Sequence, residues 1–255
     1  MIKLFRRFRQ RLISENLPSG QAGKFSKYLI YAIGEIVLVV VGILIAIQLN
    51  EWRNDNTNNK QKQNVLSALQ LEFQSNLSQL DTVLFYNEKT LNAYPKAMDL
   101  IKNKNVNINK EIFNEASIDL VYTWSFNPIN GALRSGISSG EIHLINNDRL
   151  LELLFSWEDV VKDSDEEIKT LRNYQLDAIP LREKYIRVAD MYKQYFPESE
   201  NSNYPSDYSG LINDALFEDY VSFSYYNALE YATELNIIKN NNLEILKLID
   251  QEIKK

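Results

Sequence analysis

The most apolar part of the chain is residues 28–49, "YLIYAIGEIVLVVVGILIAIQL", in which Glu35 is the sole charged residue. As a helix these 22 residues extend about 33 Å, enough for the roughly 30 Å hydrocarbon core of a bilayer. A buried core helix and a cleaved signal peptide are the alternatives. The run is apolar on all faces after Ile36, is long for a signal peptide and lacks a small-residue cleavage site. The pattern therefore predicts a transmembrane helix over residues 28–50, acting as an uncleaved signal anchor.

The pattern changes immediately after this span. The stretch "NDNTNNKQKQN" holds no apolar residue, so we interpret residues 51–63 as a polar juxtamembrane connector, or as a polar continuation of the membrane helix. Beyond it, apolar residues recur every three or four positions, which predicts a long amphipathic helix that ends before Pro95, with a short helix after it. The apolar positions of the long helix are Leu66, Leu69, Phe73, Leu77, Leu80 and Leu84.

Three further amphipathic stretches predict more helices. One surrounds Ile112, a second runs from Arg149 to Pro180 and resumes to about Phe196, and the last runs from about Ile212 to the end. Between the first two, Asn127 and Pro128 mark a helix start, Gly140 a C-cap, and Asn146 to Asp148 the next N-cap. With few strand signals, the prediction is an all-α fold: a single N-terminal transmembrane helix followed by an extracytoplasmic bundle of long amphipathic helices over residues 64–255.

Charge is distributed unevenly along the chain. Residues 1–49 carry seven basic and two acidic residues, a net +5, so the remainder of a chain whose total is −6 carries −11. The positive-inside rule then predicts a single-pass protein of the bacterial inner membrane with a cytoplasmic N-terminus and a periplasmic C-terminal domain. The opening "MIKLFRRFRQRLI" predicts a cytoplasmic basic amphipathic segment, residues 1–27, on the inner leaflet; a tail that only sets topology is the alternative. An acidic body disfavours nucleic-acid binding.

The residues around the span carry a resemblance. The basic start, "GKFSKYLIYAIGEI", "VVVGILIAIQLNEW" and the later "SSG" stretch resemble an uncharacterised family of bacterial single-span membrane proteins, classed only as a domain of unknown function. The likeness is strongest over the first 55 residues and traceable to about residue 180. The resemblance implies a bacterial envelope protein with a helical extracytoplasmic region, and it supplies no activity, ligand or site.

The sequence contains little evidence of a catalytic or metal-binding site. The chain has no cysteine, which excludes disulfides, zinc–thiolate sites and thiol catalysis, and it lacks P-loop, dinucleotide-binding and zinc-protease motifs. The one histidine, His143, is interpreted as a half-buried structural residue rather than a catalytic one. Asp159, Asp163 and Glu167 share one helical face, which we read as a solvated acidic surface rather than a cation site. We therefore expect no enzyme activity, metal or cofactor.

A turn-rich neighbourhood gives the one candidate ligand pocket. Polar residues beside tryptophans are typical of small-ligand sites between bundle helices. The alternative is that the asparagines and glycines only form caps and turns. The pocket candidates are Trp124, Asn127, Asn130, Arg134, Ser138, Ser139, His143 and Trp157.

The membrane helix itself carries the second candidate site. An acid and small residues fall on one helical stripe, which predicts a contact face for another helix: Tyr28, Tyr31, Glu35, Gly42 and Ala46. Glu35 could instead extend to the cytoplasmic interface near Lys27, or act as a proton-carrying carboxylate. We expect the partners to be membrane lipid and either a second copy or another single-span protein.

Two functions follow as hypotheses. In the first, the chain is a membrane-anchored interaction or scaffold module of the bacterial envelope without catalytic activity. In the second, the helical domain senses a small extracytoplasmic ligand and signals through its span to a partner.

Overall fold

The structure is a computed structural model that describes the backbone of residues 21–104, 108–117, 120, 124–193 and 196–254. Side chains are described from Tyr28 onward, apart from Ser117. The predicted basic amphipathic segment over residues 1–27 therefore lies outside the residues whose side chains are described.

Within the described ranges the fold is all-α, without strands, as the sequence predicts. The helices follow the hydrophobic periodicity of the sequence. They are α1 (Gln21–Lys102), α2 (Lys110–Ser117), α3 (Gly131–Ser139), α4 (Asp148–Asp177), α5 (Ile179–Tyr185), α6 (Val188–Tyr192), α7 (Tyr208–Ile212) and α8 (Ala215–Ile253). A 3-10 turn, Glu141–Leu144, lies between α3 and α4.

The chain divides into two units, Met1–Lys60 and Gln61–Lys255. In the first unit, residues 28–60 are helical and every one of their side chains is exposed. The helix of this unit is long and apolar enough to cross a membrane, and none of its most apolar window is buried. The stretch interpreted as a connector, residues 51–63, is helical throughout.

The second unit is a helical bundle in which α8 runs antiparallel to both α1 and α4. The ring of Tyr94 stacks on Tyr225 near the start of α8, while Lys62 pairs with Glu252 near its end. In α4, Arg149 near the start pairs with Glu244 near the end of α8. Near the other end of α4, Tyr174 stacks on Phe223 near the start of α8. Residues 61–102 of α1 and the whole of α4 therefore run in the same direction.

Two apolar clusters fill the bundle. The first core packs α1, α4 and α8 together, and its members include Leu66, Leu69, Phe73, Leu80, Leu154, Trp157, Leu235 and Ile245. The second core includes Ala93, Ala97, Ile101, Leu120, Leu211, Phe217 and Val221. The stripe predicted for α1 is the one that is buried, with Leu77 and Leu84 at its half-buried edges.

The prediction that a helix ends before Pro95 is wrong, because α1 passes through this residue to Lys102. A proline inside a helix leaves the carbonyl four residues earlier without its N–H partner. Pro95 is exposed, so this turn of the helix lies on the solvent side, where an unpaired carbonyl costs least. On the opposite face, Ala93, Ala97 and Ile101 are buried in the second core, and their packing carries the helix onward.

The structure agrees with some of the other predicted helix ends and differs from others. Gly140 is the C-cap of α3 with a φ of 75°, and Asn147 is the N-cap of α4, its side chain accepting from the Leu150 N–H. The helix start at Asn127 and Pro128 is wrong, since α3 begins at Gly131. Beyond Pro180 the pattern ends at Tyr192 rather than near Phe196, and the closing helix α8 begins at Ala215.

Candidate functional site

Three polar side chains of α1 hydrogen-bond to one distant segment of the chain: Glu72, Asn76 and Gln79. Their spacing of four and three residues places them on one face of the helix. They face residues 127–133, the last loop residues before α3 and its first turn. We call these three side chains and the loop they hold the polar clasp.

Glu72 provides the cap that α3 lacks in its own sequence. The side chain of Asn130, the N-cap residue, makes no cap hydrogen bond. Instead the backbone N–H of Ala132 donates to Glu72 Oε2 at 2.6 Å, and that of Leu133 donates to Oε1 at 3.0 Å. A carboxylate at a helix N-terminus also interacts favourably with the helix dipole. Glu72 is buried, so these two donors compensate for its removal from water.

Asn76 and Gln79 hold the loop that precedes α3. Asn76 Nδ2 donates to the carbonyl of Ile129 and its Oδ1 accepts from the Ile129 N–H, both at 2.8 Å. The N–H of Asn127 donates to Gln79 Oε1 at 3.2 Å. These bonds pair backbone groups that no helix satisfies, so residues 127–130 form a loop whose polar groups have partners without helical structure.

Trp157 lies under the clasp in the first core. Its indole Nε1 donates to Asn130 Oδ1 at 3.1 Å, and its ring meets Phe73 edge-on with centroids 4.9 Å apart. On the same side, the backbone N–H of Phe126 donates to the hydroxyl of Tyr231 at 3.2 Å. Burial raises the pKa of Tyr231 to about 12, and the hydrogen bond from Phe126 partly offsets that rise.

The other pocket candidates contact separate neighbours in the chain. Arg134 is exposed and pairs with Glu158 at 2.6 Å, an ion pair that raises the pKa of Arg134. The hydroxyl of Ser139 donates to the Gly136 carbonyl at 3.3 Å, and Ser138 is exposed. Of the eight candidates, the structure joins Asn130 and Trp157 directly by a hydrogen bond.

Asn127 and Trp124 lie further along the loop. Asn127 Nδ2 donates to the Ser125 hydroxyl at 2.8 Å. Trp124 is half exposed and stacks on Tyr86 with the two ring planes 6° apart.

His143 is exposed rather than half-buried as predicted. It lies in the 3-10 turn, where Ile142 occupies the buried position. The imidazole centroid is 5.9 Å from that of Phe155. A 3-10 helix has three residues per turn, so adjacent side chains are about 120° apart. Because Ile142 points inward, His143 points outward.

Sequence reasoning missed Glu72, Asn76, Gln79 and Tyr231. A signal was present, because Glu72 and Asn76 interrupt the apolar stripe that runs through Leu69 and Phe73. A polar side chain at a core position needs a hydrogen-bond partner, and that requirement identifies these residues as anchors for another segment. Which segment they hold is a tertiary property.

The acidic run of α4 is solvated. Asp159 and Asp163 are exposed, and Glu167 is half-buried. Among the described residues, no group of three or more His, Asp or Glu side chains is arranged to hold a metal ion.

The second candidate site is on the apolar helix of the first unit, a candidate membrane span. Tyr28, Tyr31, Glu35, Gly42 and Ala46 are all exposed, and they repeat at helical spacing along one stripe. A Cβ atom added at Gly42 would meet no atom of this chain within 4 Å. The stripe is therefore open to contact another molecule.

Comparison with known proteins gives one similarity. Residues 35–156 match a family of unknown function, DUF6090. The match begins at Glu35, includes Gly42 and Ala46, and covers both sides of the polar clasp. Neither a curated protein nor a solved structure matches the chain significantly.

Proposed function

We propose that this chain is a membrane-anchored helical interaction or scaffold module of the bacterial cell envelope, with no catalytic activity. The observation that carries the proposal is the uncovered apolar helix of the first unit. None of its most apolar window is buried. Such a helix is unfavourable in water, and a lipid bilayer removes its apolar surface from solvent.

The orientation follows from the charges that flank the span. Seven basic residues precede it, whereas Arg53, Lys60 and Lys62 follow it closely. On this bias the N-terminus is cytoplasmic, the chain crosses the inner membrane once, and the bundle is periplasmic. Tyr28 and Trp52, near the two ends of the apolar run, suit the aromatic belts of the two interfaces.

The span is also the proposed site of association. Gly42 and Ala46 allow a second helix to approach closely, and Glu35 is deep enough to favour a hydrogen-bonding partner over lipid. The proposed partner is a second copy first, and otherwise another single-span membrane protein.

The bundle supports an interaction role more than a ligand-sensing one. The buried polar side chains Glu72, Asn76 and Trp157 hydrogen-bond to the chain itself. A thermal-shift screen of the full chain in detergent against small metabolites distinguishes the sensor hypothesis from the interaction role. A metabolite that raises the unfolding temperature would favour the sensor, because only a ligand that binds the folded state stabilises it.

Topology is tested by two fusions after Lys255. A phosphatase that folds only in the periplasm should be active there, and a fluorescent protein that matures only in the cytoplasm should stay dark. The reverse pattern would overturn the orientation. Recovery of the full chain in the soluble fraction would overturn the membrane anchor itself.

Association is tested with the isolated span, residues 28–50, in a membrane two-hybrid assay. Gly42→Ile should abolish the signal by steric separation, and Glu35→Gln should largely keep it because an amide still hydrogen-bonds. Gly34→Ile is the matched control, since Gly34 is about 80° away from Gly42 around the helix. If Gly42→Ile associates as well as the parent span, the contact face is wrongly placed.

A further inference from the structure

The helical stretch that follows the apolar run has no cover from its own chain. Residues 51–60, "EWRNDNTNNK", are helical, and all ten side chains are exposed. Four of the ten are asparagine, a poor helix former, and Trp52 is the one large apolar residue. Within α1 this stretch therefore combines low helix propensity with no packing against its own chain.

The seven-residue spacing of the contact stripe extends into this stretch. Tyr28, Glu35, Gly42 and Leu49 are seven residues apart, and the next position in the series is Asn56. In heptad terms these are a positions, and all of them lie within the first unit. A single asparagine at an a position is the device by which parallel coiled coils set register and oligomeric state.

The charges on either side of Asn56 complement each other between copies. In this frame Asp55 is a g position and Lys60 is the following e position, five residues later. A g residue of one parallel helix contacts the following e residue of its neighbour. Within the described residues, no ion pair joins Asp55 or Lys60 to another side chain, so both charges are available for this contact.

We propose that residues 51–60 pair in parallel with the same residues of a second copy. Asn56 then faces Asn56 of the second copy, and Asp55 faces Lys60 of the second copy on both sides of the seam. The inference rests on the proposed self-association of the span and adds the partner, the orientation and the register. It also supplies the packing that this polar helix lacks in a single chain.

A right-handed crossing of the two spans predicts a different result at Asn56. Helices that cross at Gly42 and Ala46 with the right-handed angle of about −40° diverge on leaving the membrane. At Asn56, about 18 Å beyond that crossing, the two helix axes would be displaced sideways from each other by about 12 Å. A left-handed pair with heptad spacing stays in contact at the same residue.

The test uses four asparagines of one segment and the absence of native cysteine. Single cysteines replace Asn54, Asn56, Asn58 and Asn59 in the full chain, in native membranes under a mild oxidant. Asn56→Cys and Asn59→Cys occupy the a and d positions and should form disulfide dimers several-fold faster. Asn54→Cys and Asn58→Cys, at the outward f and c positions, are the matched controls. Equal rates at all four positions, or dimers at none, would overturn the proposal.

A charge swap tests the cross-contact separately. In the Asn56→Cys background, Asp55→Lys should lower the dimer yield several-fold, because it opposes two cations. Adding Lys60→Asp should restore the yield. A double variant as poor as Asp55→Lys alone would contradict the pairing of these two positions.

Association of the span and pairing of residues 51–60 are tested by separate experiments. If the isolated span associates and Gly42→Ile abolishes that association, the proposed function stands whatever the cysteines show. Failure of the heptad pattern then removes only the inference about residues 51–60. If neither the span nor any cysteine variant associates, the self-association in the proposed function is itself wrong.

Discussion

Two stretches of α1 use the same secondary structure in opposite ways. Over residues 65–101 one face is buried against other helices and the opposite face is exposed and mostly polar. Over residues 28–49 the side chains are apolar around the whole circumference, and all of them are exposed. A bundle covers only one side of a helix, so it satisfies the first stretch. The second stretch has apolar surface on all sides, which the bilayer of the proposed function would cover.

Buried polar groups separate the two stretches further. In the bundle, Glu72 and Asn76 are buried and each makes two hydrogen bonds to backbone groups of another segment. In the apolar stretch, Glu35 is exposed. Glu72 and Asn76 have their partners within one chain, whereas the association proposed above would give Glu35 a partner on a second helix. The following variants test this difference, from the largest expected effect to the smallest.

Removing the largest buried side chain of the first core should destabilise the bundle alone. Trp157→Ala should lower the free energy of unfolding by about 3–5 kcal/mol, because it leaves a cavity and unpairs Asn130. The measurement is denaturant unfolding of the full chain in detergent, followed by far-UV circular dichroism. Trp124→Ala is the control and should cost much less, since Trp124 is half exposed. Equal losses would mean that Trp157 is not a core residue.

A charge in the middle of the apolar run should act on residues 28–49 alone. Val39→Arg should disfavour membrane insertion by about 2.5–3.5 kcal/mol, because a charged side chain at the centre of a span is costly. Carbonate extraction of membranes measures the loss, with Val39→Leu as the conservative control. Helix content of the bundle should be unchanged. Val39→Arg protein that remains in the membrane fraction as fully as the control would contradict a spanning helix.

The polar clasp is tested at Glu72. Glu72→Ala should lower the free energy of unfolding by about 1.5–3 kcal/mol, since two backbone donors of α3 lose a charged acceptor. Glu88→Ala serves as the control, because Glu88 lies on the exposed face of the same helix. Hydrogen exchange should show faster exchange at Ala132 and Leu133. Unchanged protection there would rule out Glu72 as the cap.

The smallest expected effect is a gain in stability. Asn242 of α8 is fully buried, and neither polar atom of its side chain has a hydrogen-bond partner among the described residues. Asn242→Leu should raise the free energy of unfolding by about 1 kcal/mol, because leucine has no buried polar group to desolvate. Asn240→Leu, on the exposed face, should change it little. Destabilisation by Asn242→Leu would show that the amide has a structural role in this core.

The local features of the fold were predictable from the sequence. The apolar run follows from composition and length, and the buried stripe of α1 follows from periodicity, as Leu66, Leu69 and Phe73 show. The caps at Gly140 and Asn147 were also predictable. Each depends on residues within about one helical turn, so a short window of sequence contains the whole cause. The candidate pocket residues were identified by neighbourhood, a criterion that does not say which side chains face each other.

Only the tertiary structure decided which distant groups meet. The sequence by itself determined an exposed apolar helix, several amphipathic helices and most of their ends. It did not determine that Glu72 would cap a helix 60 residues away, that Pro95 would face water inside α1, or that His143 would be exposed. The pairing of one backbone segment with one polar row depends on how α1, α4 and α8 dock. Docking is set by the sum of many weak apolar contacts over the whole core, and no short stretch of sequence contains that sum.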